Sequence, residues 1–180
     1  MVQDECVCPG VMNMESMLLL GAGLMTAAFV AVVVFAPSTL TDEPADWEIV
    51  DVCLGSEHSS NPIVAHYHAT LRIVLEGSEV SIASDIGIND SECSNGMRGI
   101  HTHDETGRLH IETPTQMNAP IGAFFEIWGE TFNENQILYK VADEDSEVVM
   151  YVNDELNDDY QNAIIHDNDI IEIYYREKSD

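Results

Sequence analysis

Apolar and polar residues alternate through residues 99–112, on both sides of a four-residue polar stretch at residues 104–107. A period of two is typical of β-strands with one buried face, and the Asp and Gly that bound the polar stretch are turn formers. The segment therefore predicts a β-hairpin. In the pairing that this turn sets, His110 lies opposite His101.

The two faces of this predicted hairpin differ in character. Its core face carries Ile100, Thr102, Leu109 and Ile111. Its other face carries His101, His103, Arg108, His110 and Glu112, with Arg108 opposite His103 and Glu112 opposite Gly99. Directly opposed side chains sit about 5 Å apart at Cβ, so we expect the three histidines to converge on one point.

A second alternating segment, residues 63–75, predicts a long strand. One of its faces carries Tyr67, Ala69, Leu71, Ile73 and Leu75. The other carries His66, His68, Thr70 and Arg72. A turn at residues 76–78 and a returning strand at residues 79–83 are expected next. If the long strand neighbours the hairpin, five imidazoles share one face of the sheet.

The rest of the pattern predicts one short helix among further strands. Residues 120–128 place apolar side chains at helical spacing between a first-turn Pro and Gly129. At this spacing Phe124, Phe125 and Trp128 are interpreted as core rather than as the lining of a ligand groove. Strands are expected at residues 47–53, 137–141, 147–152 and 169–175. The predicted fold class is α+β, mainly β, with antiparallel sheets and one short helix.

An uncharged apolar run occupies residues 17–36 and is long enough to cross a bilayer as a helix. It divides the chain into a short tail (1–15), a transmembrane helix (16–36), a linker (37–46) and a β-rich domain (47–180). A cleaved signal peptide is the alternative, weakened because no basic segment precedes the run and no clean small-residue cleavage site follows it. Small residues at Gly23, Ala27 and Ala31 are spaced for close helix packing, so a homo-oligomer or another membrane partner is possible.

The chain is strongly acidic, with a net charge of −27 from 33 Asp and Glu against six Lys and Arg. A surface of this sign repels nucleic acid and anionic lipid, which excludes DNA, RNA and docking on membranes through basic residues. The acidic runs at residues 143–147 and 154–159 lack the Gly and the closing Glu of a calcium loop. The charge is therefore interpreted as a solvated acidic surface.

The compartment is inferred from cysteines rather than from basic residues. Neither flank of the apolar run carries Lys or Arg, so the positive-inside rule gives no orientation. Cys53 and Cys93 predict a disulfide if the domain lies outside the cytoplasm, and two free core thiols are the alternative. An Asn-x-Ser sequon at Asn89 also favours the outside. Cys6 and Cys8 are too few for a metal or lipid assignment.

The histidines carry the candidate chemistry. Neutral imidazole is the commonest metal ligand, and three of them with an open position suit zinc or copper. The predicted ligands are His101, His103 and His110 of the hairpin, with His66 and His68 of the long strand. Asp104 and Glu112 are candidates for oxygen ligands or for acceptors that orient a ring. The positive charge of Arg108 argues against a cation on this face, unless Arg108 pairs with Glu112 or binds an anionic ligand. His58 and His166 are interpreted as surface residues.

The same residues carry a resemblance to a prokaryotic family. The motifs are His66-x-His68, the run His101-Thr102-His103-Asp104 with Gly107, His110 and Glu112, and Phe124-Phe125-x-x-Trp128-Gly129. With them, about residues 53–175 resemble a family whose members are often membrane-anchored and extracytoplasmic. The resemblance implies a single exported domain and supplies no activity, so the metal hypothesis depends on the residues alone.

Three functional hypotheses follow. The first is a membrane-anchored extracytoplasmic domain that binds copper or zinc without catalysis. The second is a structural or interaction module of a cell-surface or membrane assembly. The third is a metal-dependent hydrolase or cupin-like oxidoreductase with Asp104 or Glu112 as general base. A cupin motif is only approximated by His101, His103, Glu105 and Gly107, because their spacing is compressed.

Overall fold

The computed structural model describes residues 47–55 and 63–178. The predicted tail, transmembrane helix and linker, with Cys6 and Cys8, lie outside these residues, as does His58. Within the described ranges, no helix is long and apolar enough to cross a membrane.

The described residues form a mainly β domain, which confirms the α+β, mainly β prediction. The strands are β1 (Cys53–Gly55), β2 (Ala65–Leu75), β3 (Ser78–Val80), β4 (Gly96–Arg98), β5 (Ile100–His101), β6 (Arg108–Thr113), β7 (Phe132–Asn133), β8 (Gln136–Ile137), β9 (Lys140–Val141), β10 (Ser146–Val152), β11 (Glu155–Leu156) and β12 (Ile170–Glu177). The helices are α1 (Ile121–Trp128) and two 3₁₀ turns, Glu48–Asp51 and Tyr160–Asn162.

A seven-stranded sheet organises the domain. Its strand order is β11-β10-β12-β2-β6-β5, with β3 also paired to β2. All of its pairs are antiparallel except β12 with β2, which run parallel. Strands β1 and β4 form a separate pair, and β7, β8 and β9 form a small third sheet. The long strand β2 and the strand β6 are therefore neighbours, which brings the two histidine segments together.

One hydrophobic core lies under this sheet. The inward face of β2 contributes Leu71 and Ile73, and helix α1 contributes Phe124 and Phe125 to the same cluster. Both phenylalanines are fully buried and Trp128 is partly buried against the same cluster, so the interpretation of these three aromatics as core is confirmed. The helix ends at Gly129, whose φ of 79° is a left-handed conformation that favours glycine.

Two predicted strands are wrong. Residues 48–51 form a 3₁₀ turn, because Ile49 and Val50 are both buried and a strand would send adjacent side chains to opposite faces. The strand expected at 137–141 is instead two short strands, β8 and β9. The chain reverses between them at Leu138, which has a φ of 52°.

The predicted hairpin at residues 99–112 is shorter than expected. His101 does pair with His110, but β5 stops there. The amide of Thr102 donates to the carbonyl of Ile86, and its hydroxyl donates to the carbonyl of Ala83, which draws the chain away from β6. Because β5 stops at His101, Arg108 has no partner on that strand, and the predicted pairing of Arg108 with His103 is wrong. On the other edge of β6, Arg108 pairs with Thr70 of β2.

The predicted disulfide between Cys53 and Cys93 is present, with Cα atoms 5.4 Å apart. It connects β1 to the loop that precedes β4. It closes a loop across a sequence separation of 40 residues. The bond restricts the conformations of the unfolded chain and so stabilises the fold by about 4 kcal/mol.

Candidate metal centre

Three histidines form a row across three neighbouring strands. His68 of β2 pairs with His110 of β6, and His110 pairs with His101 of β5. His66 lies two residues before His68 on the same side of β2, and His103 follows β5. The expectation of five imidazoles on one face is met.

Two groups of three imidazoles within this face are close enough to hold a metal ion. We call them the β2-side triad, His66, His68 and His110, and the β5-side triad, His101, His103 and His110. Within each triad the three candidate ligand nitrogens lie within 4.8 Å of one another. The ring of His110 stands edge-on to the rings of both His68 and His103, at centroid distances of 4.5 and 4.6 Å. His110 is therefore the residue that the two triads share.

His101 is held in the orientation and tautomer of a metal ligand. Its side chain is completely buried, and its Nδ1 lies 3.0 Å from the carbonyl oxygen of Arg98. Because a carbonyl only accepts, this hydrogen bond assigns the proton to Nδ1 and leaves the lone pair on Nε2. That nitrogen lies 3.2 Å from Nε2 of His103. Two nitrogens bound to one tetrahedral zinc ion at about 2.0–2.1 Å lie about 3.3–3.4 Å apart, so the separation fits a shared ion.

Glu112 is a buried carboxylate next to His66 of the β2-side triad. It is only 5% exposed, and its Oε1 lies 3.3 Å from Nε2 of His66. Its Oε2 is buried without a hydrogen-bond partner. A buried carboxylate requires a compensating positive charge or donor nearby. A carboxylate that orients a ligating histidine is a common arrangement behind metal ions, so Glu112 fits the predicted role of an acceptor that orients a ring.

The environment keeps the central imidazoles neutral. The pKa of His101 is lowered to about 4, mainly by burial, with smaller contributions from His103 and His110 and against the opposing hydrogen bond to Arg98. Burial also lowers the pKa of His110 to about 4, with contributions from His103 and His68. Neutral rings retain the lone pair that a metal needs, so the ligand form prevails at neutral pH.

His68 has a related environment. Burial, followed by the positive charge of Arg108 and the neighbouring His66, lowers the pKa of His68. Asp167 and Glu112 act in the opposite direction. The backbone amide of His68 donates to Oδ1 of Asp167, which secures this end of β2.

Two other predicted site residues have different surroundings. Asp104 is exposed, and its Oδ1 accepts hydrogen bonds from the amide and hydroxyl of Thr106 within the turn. It belongs to neither triad among the described residues. Arg108 is exposed on the histidine face, and its charge lowers the pKa of both His68 and His110. The positive charge of Arg108 therefore still disfavours a cation bound at this face.

The sequence did not reveal the carbonyl of Arg98 as a partner of His101. Arg98 ends β4, for which the sequence predicted no strand, and a backbone carbonyl leaves no signal in residue type. The Asp167 contact was also missed because it joins residues that are 99 positions apart. His166 is exposed, as predicted, and is not a member of either triad.

Comparisons with known proteins add no assignment to this geometry. No protein-family model, curated protein or solved structure matches the chain. The resemblance to a family of membrane-anchored extracytoplasmic proteins stays a prediction, and the function is argued from the site.

Proposed function

We propose that this domain binds a transition metal ion, copper or zinc, through the histidine face of β2, β6 and β5. The observation that carries the proposal is the geometry of His101. A buried imidazole whose Nδ1–H donates to the carbonyl of Arg98 directs the lone pair of its Nε2 at Nε2 of His103, which is 3.2 Å away and within hydrogen-bond distance. This is how proteins fix a histidine ligand before the ion arrives.

The donor chemistry favours copper or zinc over harder ions. The candidate ligands are all imidazole nitrogens, which suit zinc, copper and nickel, whereas calcium and magnesium prefer oxygen. The cysteines of the described residues, Cys53 and Cys93, are joined in a disulfide and offer no thiolate. Copper(II) is expected to bind more tightly than zinc in such a site.

Exposure of the face favours binding over catalysis. His66 is 50% exposed, His103 and Arg108 are exposed, and His68 and His110 are half-buried. An enzyme that activates water at a metal shields the reaction in a dry cavity. The hydrolase and cupin-like hypotheses therefore receive less support than metal binding without turnover.

We further propose that the domain lies outside the cytoplasm, tethered to the cell membrane by residues 16–36. The disulfide supports this placement because such bonds persist in oxidising compartments. In that setting the exposed histidine face is available to ions outside the cell.

Metal content and titration test the proposal directly. The purified 180-residue chain, stripped with a chelator, is titrated with Cu²⁺ or Zn²⁺ and assayed by elemental analysis. We expect stoichiometric binding that is lost in His110→Ala, because His110 belongs to both triads. His166→Ala is the matched control and retains binding. Absence of stoichiometric metal, or equal affinity in His110→Ala and the unmodified chain, overturns the proposal.

A further inference from the structure

The histidine face contains more ligands than one ion needs. A zinc or copper ion that retains an open position takes three histidines, and this face offers five. They divide into two complete sets, one on either side of β6, and the sets have only His110 in common.

We propose that one metal ion has two alternative positions on this face, the β2-side triad and the β5-side triad. His110 is a ligand in both positions, and only one of them is occupied at a time. The inference rests on the proposed function, since it concerns the same ion. A neutral imidazole has one lone pair, because its second nitrogen carries a proton. His110 can therefore complete only one triad at a time.

The arrangement of the rings supports exchange between the two positions. His110 lies between the other members, with His68 on one neighbouring strand and His101 on the other. Its ring centroid is 4.5 Å from that of His68 and 4.6 Å from that of His103. The shared ring is thus at closely similar distances from a member of each triad, so a change in the orientation or tautomer of His110 accompanies the transfer.

The two positions differ in their surroundings. The β5-side triad includes the completely buried His101, which is fixed by the carbonyl of Arg98. The β2-side triad includes His66, which is 50% exposed and lies beside the buried carboxylate of Glu112. Each position therefore has one exposed histidine, His66 or His103, and the β5-side position also has one buried ligand that the fold holds in place.

Variants at the two exposed histidines test this inference without disturbing the core. His66→Ala leaves the β5-side triad intact, and His103→Ala leaves the β2-side triad intact. If the two positions are similar in strength, removal of one lowers the overall affinity for Cu²⁺ by only about twofold. The double variant His66→Ala, His103→Ala breaks both triads, and we expect its affinity to fall at least about tenfold below either single variant.

Electron paramagnetic resonance of the Cu²⁺-loaded 180-residue chain provides the second measurement. We expect one bound ion per chain and two overlapping Cu²⁺ signals, of which each single variant retains a different one. His166→Ala is the control and keeps both signals. Binding of two ions per chain, a single signal, or loss of all binding in one single variant overturns the inference while metal binding stands. Absence of Cu²⁺ binding in the unmodified chain overturns the proposed function as well.

Discussion

His101 and His110 lie directly opposite each other on β5 and β6, with ring centroids 5.4 Å apart and ring planes inclined by only 19°. One ring is completely buried and the other is half-buried. The pair marks the boundary between the hydrophobic interior and the exposed part of the histidine face. Binding at this boundary combines a fixed ligand with access from solution.

The stability of the metal-free protein is expected to depend on pH through these two residues. Both have a pKa of about 4 in the folded chain, against about 6.5 in an unfolded chain. Above about pH 6.5 both states are neutral and stability is complete. As the pH falls from there towards 4, the unfolded chain binds protons first, so the free energy of unfolding decreases.

Urea unfolding between pH 7.5 and about pH 4 measures this dependence. In His110→Gln the decrease should be shallower, because one group that differs between the states is removed. His166→Gln should leave the slope unchanged. An equal slope in all three proteins would show that His110 is not held neutral by the fold.

Removing the charge of Arg108 is expected to strengthen metal binding. Arg108 is exposed on the histidine face and already lowers the pKa of His68 and His110. Its interaction with a bound cation is repulsive and screened by solvent, so Arg108→Gln should tighten Cu²⁺ binding about two- to fivefold at low salt. Titration at two salt concentrations should show the gain diminishing as salt is added.

Arg176→Gln provides the control, since Arg176 is exposed and pairs with Glu147 on β10. Its effect on Cu²⁺ binding should be small. Weaker binding in Arg108→Gln would mean that the guanidinium assists the site, for instance by holding an anion on the ion.

Glu112 is expected to matter for one triad only. In a His103→Ala background, where the β2-side triad remains, Glu112→Leu should weaken Cu²⁺ binding about 10- to 100-fold, because His66 loses the acceptor that orients it. Stability should change little or increase, because the buried Oε2 has no hydrogen-bond partner to lose.

The matched comparison is Glu112→Leu in a His66→Ala background, where only the β5-side triad remains. Affinity there should be almost unchanged. Equal losses in the two backgrounds would contradict the assignment of Glu112 to His66.

The disulfide is expected to stabilise the fold and, through β4, the site. The double variant Cys53→Ser, Cys93→Ser should lower the free energy of unfolding by about 4 kcal/mol. Its β5-side triad should bind Cu²⁺ more weakly, because β1 pairs with β4 and β4 ends at Arg98, whose carbonyl fixes His101. Urea unfolding and titration measure both effects, with Cys6→Ser, Cys8→Ser as the control. Unchanged stability would exclude a structural role for the bridge.

The sequence predicted the parts of the fold that depend on local pattern. Period-two alternation correctly assigned the two faces of β2, and turn composition gave the pairing of His101 with His110. Helix α1 was predicted from its spacing, its Pro and Gly129. These features follow from side chains within a few residues of one another, so a single sequence contains the information.

Features that depend on distant contacts were not predicted. The parallel pairing of β12 with β2 joins segments about 100 residues apart, between Ile170 and Thr70 for example. The burial of His101 and Glu112 results from such packing, and alternation assigns a face without saying how deeply a residue is buried. The role of the Arg98 carbonyl was not predicted either, because every residue has a backbone carbonyl and the residue type does not single one out.

X-ray absorption at the zinc edge of the Zn²⁺-loaded chain tests the central claim most directly. We predict a first shell of nitrogen and oxygen at about 2.0–2.1 Å with outer-shell scattering from about three imidazole rings and no sulfur. A shell of oxygen alone, without imidazole scattering, would contradict the claim that this histidine face binds the metal.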